Sequence, residues 1–516
     1  MKKVTNWGSL LGMLLSFMVA SAQNTAIATG NWNNCATWGY PAGITKGNDA
    51  SSTKTISNDV TVIMNTNWNV QNVSFGSNGA LDFASSSNVL DLNVPGGTSQ
   101  VCEAQHFALG SATSNQTMNA GTDLSFTNLA NNVASISGTS INLKAGHVYK
   151  LTSQVYMTGT VQSNAYFDYQ WVNSSNVALP VSVMGRAVFE NGFFPDAMQT
   201  GAVAVYKPTA DVTVKVRVVG NGGTGTSVAS RTYALVEEIN SASQYNFSTA
   251  SGTQYLPANT DLSFAASAVN SGIANATGVN FPLTAGKTYR LQGSTWVSLA
   301  QAGSIAWVNA SNVALPGQVN RTNSQATAVG EFPNPTAISY YTPTANGNVK
   351  MRVTSGAPTG YSVAGRTYAA IEEIPSGANY LMAIPSASQT LSNNLDLNFG
   401  TTIVSSGITL SGGNSVNLLA NHTYILHGVL STANQTASGG YVDYQWVNAS
   451  NSAIPNGVIG RTIPFSTTTF SDWAQSSAVV IYKPTVNTTV KLRTIGFGGT
   501  TGTSEPYGFI YVKELN

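Results

Sequence analysis

One phrase is written three times in this chain. FDYQWVNSSNVALP (Phe167 to Pro180) returns as GSIAWVNASNVALP (Gly303 to Pro316) and as VDYQWVNASNSAIP (Val442 to Pro455). The match extends well beyond the phrase. TDLSF at Thr122 to Phe126 recurs at Thr260 to Phe264 and, as LDLNF, at Leu395 to Phe399. LKAGHVYKL (Leu143 to Leu151) matches LTAGKTYRL (Leu283 to Leu291) and LLANHTYIL (Leu418 to Leu426). VYKPTADVTVKVRV (Val205 to Val218) matches segments starting at Tyr340 and Ile481, and RTYALVEEI (Arg231 to Ile239) matches RTYAAIEEI (Arg366 to Ile374) and YGFIYVKEL (Tyr507 to Leu515). So many matches in one order, at a period of roughly 137 residues, define three copies of one folding unit.

Within a copy the pattern is β. In YFDYQWV, Phe167, Tyr169 and Trp171 share one strand face while Asp168 and Gln170 share the other, since successive strand residues point to opposite sides. The aromatics are assigned to the core, which makes Trp171, Trp307 and Trp446 equivalent core residues. The NSSN and NASN segments after each Trp are turns, because Asn and Ser bond their own backbone. Such runs give about eight to ten strands per copy without helical periodicity, the size of an antiparallel jelly roll.

Ahead of the repeats, short strands at a spacing of roughly nine or ten residues (Thr61 to Met64, Val70 to Phe75, Ala80 to Phe83, Val89 to Val94) are separated by SNG and SSSN turns, which fits stacked rungs or a small sandwich. The first residues read as a signal peptide: Lys2 and Lys3, an apolar run from Leu10 to Ala20, and small residues ending at Ala22. That run is shorter than the roughly 18 apolar residues of a membrane helix, and no later stretch reaches that length. The expected product is a secreted, extracellular or cell-surface protein, divided into 1–22 signal peptide, 23–102 N-terminal β module, and jelly-roll repeats 103–240, 241–375 and 376–516. Cys35 and Cys102 are the only cysteines. In an oxidising compartment they are expected to form a disulfide, worth about 4 kcal/mol for a loop of this length, with two buried thiols as the alternative.

The order of elements resembles the superfamily of the complement globular head (first complement component, q subunit) and tumour necrosis factor. AGHVYKLTSQVYM resembles its aromatic-strand signature, PTADVTVKVRV its penultimate long strand, and RTYALVEEI its closing strand. The resemblance implies three tandem jelly rolls of that type, first and last strands that are neighbours, and action by binding without an active site. Members commonly trimerise. The acidic calcium loop of some members has no clear counterpart here. The opening GNWNNCATWG (Gly30 to Gly39) and the runs after it resemble the short stacked-strand modules of secreted bacterial surface proteins.

Composition and motifs narrow the function. Only 8% of residues are charged, net charge is +1, and no basic run exists, which sets nucleic acid aside as a partner. The four histidines, His106, His147, His422 and His427, adjoin no nucleophile motif. Glu237 and Glu238 recur as Glu372 and Glu373 but give way to Lys513 and Glu514, and Asp168 and Asp443 give way to Ser304. No catalytic set, cofactor or metal is assigned, and no enzyme activity is expected. Trp32 and Trp38 are read as core rather than as a sugar platform. Two arginine sets recur. Arg217, Arg352 and Arg493 are read with the others as a solvated face or as partners of the last-strand glutamates; Arg186, Arg321 and Arg461 carry the further reading of an interface or an anionic ligand site.

The expected function is extracellular binding or adhesion toward a glycan or protein ligand. A structural role in a surface layer or fibre is the alternative, and glycan hydrolysis is a third reading. The linkers bear on assembly. Asn240 to Gln244 and Pro375 to Asn379 are all that separate successive copies, and five extended residues reach at most about 17 Å. An intrachain pseudo-trimer is therefore expected, with an extended rod or a homotrimer of chains as alternatives.

Overall fold

The computed structural model describes most of residues 105–515, with the main exceptions of 159–165, 189–197, 323–330, 356–360, 434–440 and 464–473, together with isolated strands between 25 and 101. Every described regular element is a strand apart from two short 3-10 turns, Ala229–Arg231 and Ala364–Arg366. The protein is an all-β chain of antiparallel sandwiches behind a stacked-strand module.

In that module the stacked strands pair in parallel, and only Thr45–Lys46 with Gln100–Val101 pairs antiparallel among the described residues. Thr53–Ile56 lies between Thr25–Ala26 and Asn72–Phe75, Thr61–Met64 lies between Gly30–Asn31 and Ala80–Phe83, and Trp68–Val70 pairs with Leu90–Leu92. Partners such as Thr61 and Ala80 stand about twenty residues apart, so the rungs stack as successive coils of a solenoid. The run Val70 to Phe75, read as one strand, is divided between two stacks. Residues 1–22 and both cysteines, Cys35 and Cys102, lie outside the described residues.

The first repeat folds as two sheets. One runs in the order Phe126–Asn132, Phe107–Ala112, Tyr233–Ile239, Val148–Gln154, Ala202–Tyr206, Ser182–Val183; the other runs Ser135–Ser137, Ser140–Leu143, Val212–Asn221, Tyr166–Asn173, Gly185–Val188, Met198–Thr200. Repeats two and three keep this order over the strands described. First and last strands are neighbours, with Phe107 opposite Glu237. Between the sheets each repeat holds its own apolar core, and Trp171, Trp307 and Trp446 are buried within it at 0%, 2% and 2% exposure. The turn after each Trp has the local chemistry its sequence predicts. Asn173 Oδ1 accepts the backbone N–H groups of Ser175 and Val177, and Asn309 and Asn448 do the same. Asn176, Asn312 and Asn451 supply the left-handed residue, a conformation Asn tolerates better than most.

The internal repeats also expose a packing rule. Gly185 lies opposite Tyr169, and Gly460 opposite Tyr444; a Cβ at either would sit 2.4 Å from the tyrosine ring. Repeat two pairs Asn320 with Ile305 instead, so glycine and tyrosine are absent there together.

The two sheets of a repeat differ in burial. Val212–Asn221 alternates between core and partly exposed positions, as a one-sided sheet must. Tyr233–Ile239 and Phe509–Leu515 are buried at every position, so their outer faces are covered too. Other repeats cover them. One apolar cluster contains Phe107, Leu109, Tyr233 and Leu235 of the first copy, Ile338, Tyr340 and Ile374 of the second, and Tyr380, Met382, Ile425 and Tyr511 of the third. Another joins Val148, Val203, Val205 and Ile239 of copy one to Tyr245, Phe247 and Tyr368 of copy two.

Candidate functional site

Where the three outer sheets meet, the chain buries charge. The central strand and the closing strand of each copy face one another at one register position: Lys150 with Glu237, Arg290 with Glu372, and Ile425 with Lys513. The five ionisable side chains among these six converge. Arg290 Nη2 reaches Glu372 Oε2 at 2.5 Å, Arg290 Nη1 reaches Glu237 Oε1 of copy one at 3.4 Å, and Lys513 Nζ of copy three reaches Glu372 Oε1 at 2.8 Å. Lys150 Nζ donates to Gln292 Oε1 of copy two.

Their protonation follows from burial against neighbouring charge. Desolvation alone would raise Glu372 and Glu237, yet the Arg290 charge, helped by Lys150 and Lys513, holds both below the usual carboxylate range. Lys150 is lowered as well, but toward its neutral form: burial, reinforced by Arg290, brings it from 10.5 to about 7. Three cations around two carboxylates carry one charge in excess, and Lys150 is the group that gives way. Nearby, burial lowers His427 from 6.5 to about 3. His427 occupies the position of Thr152 and Gln292, has no hydrogen-bond partner for either ring nitrogen among the described residues, and lies edge-on to Tyr511 at 4.9 Å. The small cavity beside Lys150, Arg290, Gln292 and Glu372 has about the room of one water, so this centre joins copies and offers no space for an organic ligand.

Farther out, two junctions carry the arginines singled out in the sequence. A register shift falls after Asp168, Ser304 and Asp443 in the three copies, a bulge of the kind that re-aims side chains. Arg186 grips Asp168 with Nε at 2.5 Å and Nη2 at 2.7 Å, and Arg366 of copy two adds a bond to Asp168 Oδ2 at 3.0 Å. Trp296 of copy two lies under both guanidinium groups, at 5.9 Å from Arg186 and 5.5 Å from Arg366. The junction of copies three and one is built alike. Arg461 grips Asp443, Arg231 of copy one bonds Asp443 at 2.9 Å, and Tyr156 of copy one lies 5.3 Å from Arg231 and 5.9 Å from Arg461. At the remaining junction the equivalent positions hold Ser304, Ser431 and Tyr507, and the contact there includes the Tyr340–Tyr380 stack at 5.7 Å. Arg321 pairs opposite Ser304 through its backbone, and its side chain lies outside the described residues.

One expectation requires correction. Arg217, Arg352 and Arg493 neither face solvent freely nor pair with last-strand glutamates. They bond Asp123, Asp261 and Asp396, the aspartates of the TDL and LDL motifs, as do Lys215, Lys350 and Lys491. An arginine two residues from a lysine places both on one face of the penultimate strand, and that face meets the loop carrying the aspartate. His106, His147 and Glu238, weighed separately in the sequence, come together here, with ligand-type atoms all within 4.8 Å of one another. Comparison of the copies carried that signal: two imidazoles stand where copy two has Gln244 and Lys287.

No protein-family model matches the chain, and no curated protein matches it.

Proposed function

We propose that this chain is a secreted, non-enzymatic binding or adhesion protein whose three jelly rolls form, within one polypeptide, the threefold head that the complement-head and tumour necrosis factor superfamily assembles from separate chains. The buried charge cluster carries this reading. Copy three contributes Lys513 opposite Ile425 and no carboxylate at that register, so three identical copies of it would gather three unpaired ammonium groups at the centre, at a cost of several kcal/mol each. Glu372 of copy two answers Lys513. Copies committed to one another in this way are suited to a monomeric head, whose outer loops meet an extracellular glycan or protein ligand, with the stacked-strand module as the leading segment of the exported protein.

Light scattering with small-angle X-ray scattering on the mature chain tests the assembly, and a glycan array probed with the same sample tests binding. A compact monomer with array signal supports the proposal. A rod-like profile or a mass of three chains overturns the pseudo-trimer. A compact monomer that binds neither glycans nor extracellular proteins, and self-assembles at surfaces, favours the structural role.

A further inference from the structure

The last glutamate of each closing strand, Glu238, Glu373 and Glu514, points away from the charged centre and meets a cation-type group in every copy. Lys287 Nζ stands 2.9 Å from Glu373 Oε1 in copy two, and His422 Nδ1 stands 2.7 Å from Glu514 Oε1 in copy three. In copy one the group is His147, with Nδ1 2.7 Å from Glu238 Oε1. Only this copy adds a second imidazole. His106 occupies the position of Gln244 and Asn379, its backbone N–H donates to Glu238 Oε2 at 2.7 Å, and its ring stands 4.2 Å from that of His147.

We infer that His106, His147 and Glu238 form a binding site for a divalent transition-metal ion, zinc being the best fit. Two imidazoles and one carboxylate are a zinc-type donor set, completed by water. One ligand atom from each residue lies within 4.8 Å of the other two. Tetrahedral zinc with bonds of about 2.0–2.2 Å needs separations of about 3.4 Å, within reach of small side-chain rotations. Supporting hydrogen bonds are already in place. His106 Nδ1 is 2.6 Å from Tyr149 Oη, which also accepts the Lys144 backbone N–H at 3.1 Å, the kind of outer partner that orients a ligating histidine. His106 and Glu238 are buried, while the His147 side chain keeps 15% exposure, so the ion enters past His147. Binding would replace the His147–Glu238 hydrogen bond and tie the first strand, the closing strand and the turn before Val148 together at the entrance to the repeats.

The other copies supply variants that this fold accommodates: His147→Lys, as in copy two, and His106→Gln, also as in copy two. The mature chain, stripped with a chelator, is titrated with Zn²⁺ by calorimetry and with Co²⁺ by visible absorption. One ion per chain is expected, with the intense visible bands of tetrahedral Co²⁺, and at least a tenfold loss of affinity in each variant. Circular dichroism checks that each variant is folded, and the titration of whichever variant folds decides the case. Absence of binding to the wild-type chain, or binding undiminished by the substitutions, overturns the site.

Discussion

Glu372→Gln is the sharpest perturbation of the charged centre. The carboxylate is 6% exposed and accepts from Arg290 at 2.5 Å and from Lys513 at 2.8 Å. An amide of the same shape leaves Glu237 as the one anion facing Arg290, Lys150 and Lys513. Removing one partner from a buried ion pair costs about 3–5 kcal/mol, or two to four powers of ten in the folded-to-unfolded ratio. The loss should appear as an early transition in urea, followed by tryptophan fluorescence and by light scattering, as the sheets facing the centre separate before the cores around Trp171, Trp307 and Trp446 open. The sign with pH is fixed. Glu372 is held below its ordinary 4.5, so its contribution is present above about pH 4.5 and is lost as pH falls toward the folded value; the variant should lose that part of the acid sensitivity. Adding Lys513→Met removes the ammonium left without its carboxylate and should recover part of the loss. A cost below about 1 kcal/mol, or no recovery in the double variant, would refute the argument that the centre works by charge balance.

Three further outcomes follow from named contacts. Lys150→Met leaves two cations and two carboxylates. Because the folded Lys150 titrates near 7 rather than 10.5, the wild-type chain gains stability as pH rises from about 7 toward 10.5, and the variant should lose this slope and be the more stable of the two at pH 6, as read by urea midpoints. His427 stays neutral to about pH 3 in the folded chain, so its protonation on unfolding costs stability as pH drops from 6.5 toward 3; His427→Gln, the residue of copy two, should flatten that limb in thermal scans. Gly185→Ala puts a methyl 2.4 Å from the Tyr169 ring and 2.7 Å from the Ala202 nitrogen; about 1–3 kcal/mol of destabilisation is expected in urea unfolding, and Tyr169→Ile in the same chain should relieve only the part due to the ring.

Much of this was legible in the sequence because the chain carries its own comparison set. The alternation in YFDYQWV placed Phe167, Tyr169 and Trp171 inside, and the Asn turns followed from local bonding alone. The pairing of partners was harder. Arg217 was visible as a recurring residue, yet its partner Asp123 lies 94 positions away, and no local rule links them. The parallel stacking of the N-terminal module was hidden for a similar reason, since alternation within a run says nothing about which run it pairs with. Burial of Glu237 and Lys150 ran against the default that charges stay outside. Its one sequence sign is covariation between copies, with Lys513 arriving where Ile425 removes a cation.

The same covariation predicts what the third junction lacks. Asp168 with Arg366, and Asp443 with Arg231, are clamps between copies, while Ser304 and Tyr507 occupy the matching positions at the junction of copies two and three. The carboxylate and the neighbouring copy's guanidinium are absent there together, while copy two keeps Arg321 opposite Ser304. Tyr507→Arg alone should therefore destabilise the chain, and Ser304→Asp alone, with Arg321 opposite it, should cost less, both positions being partly buried. Combined, they should recover at least about 1 kcal/mol of the summed loss, the lower range of couplings between contacting groups. A double-mutant cycle in urea measures that coupling. If the two effects simply add, to within about 0.5 kcal/mol, the third junction does not share the geometry of the other two, and the threefold reading of the head fails at that junction.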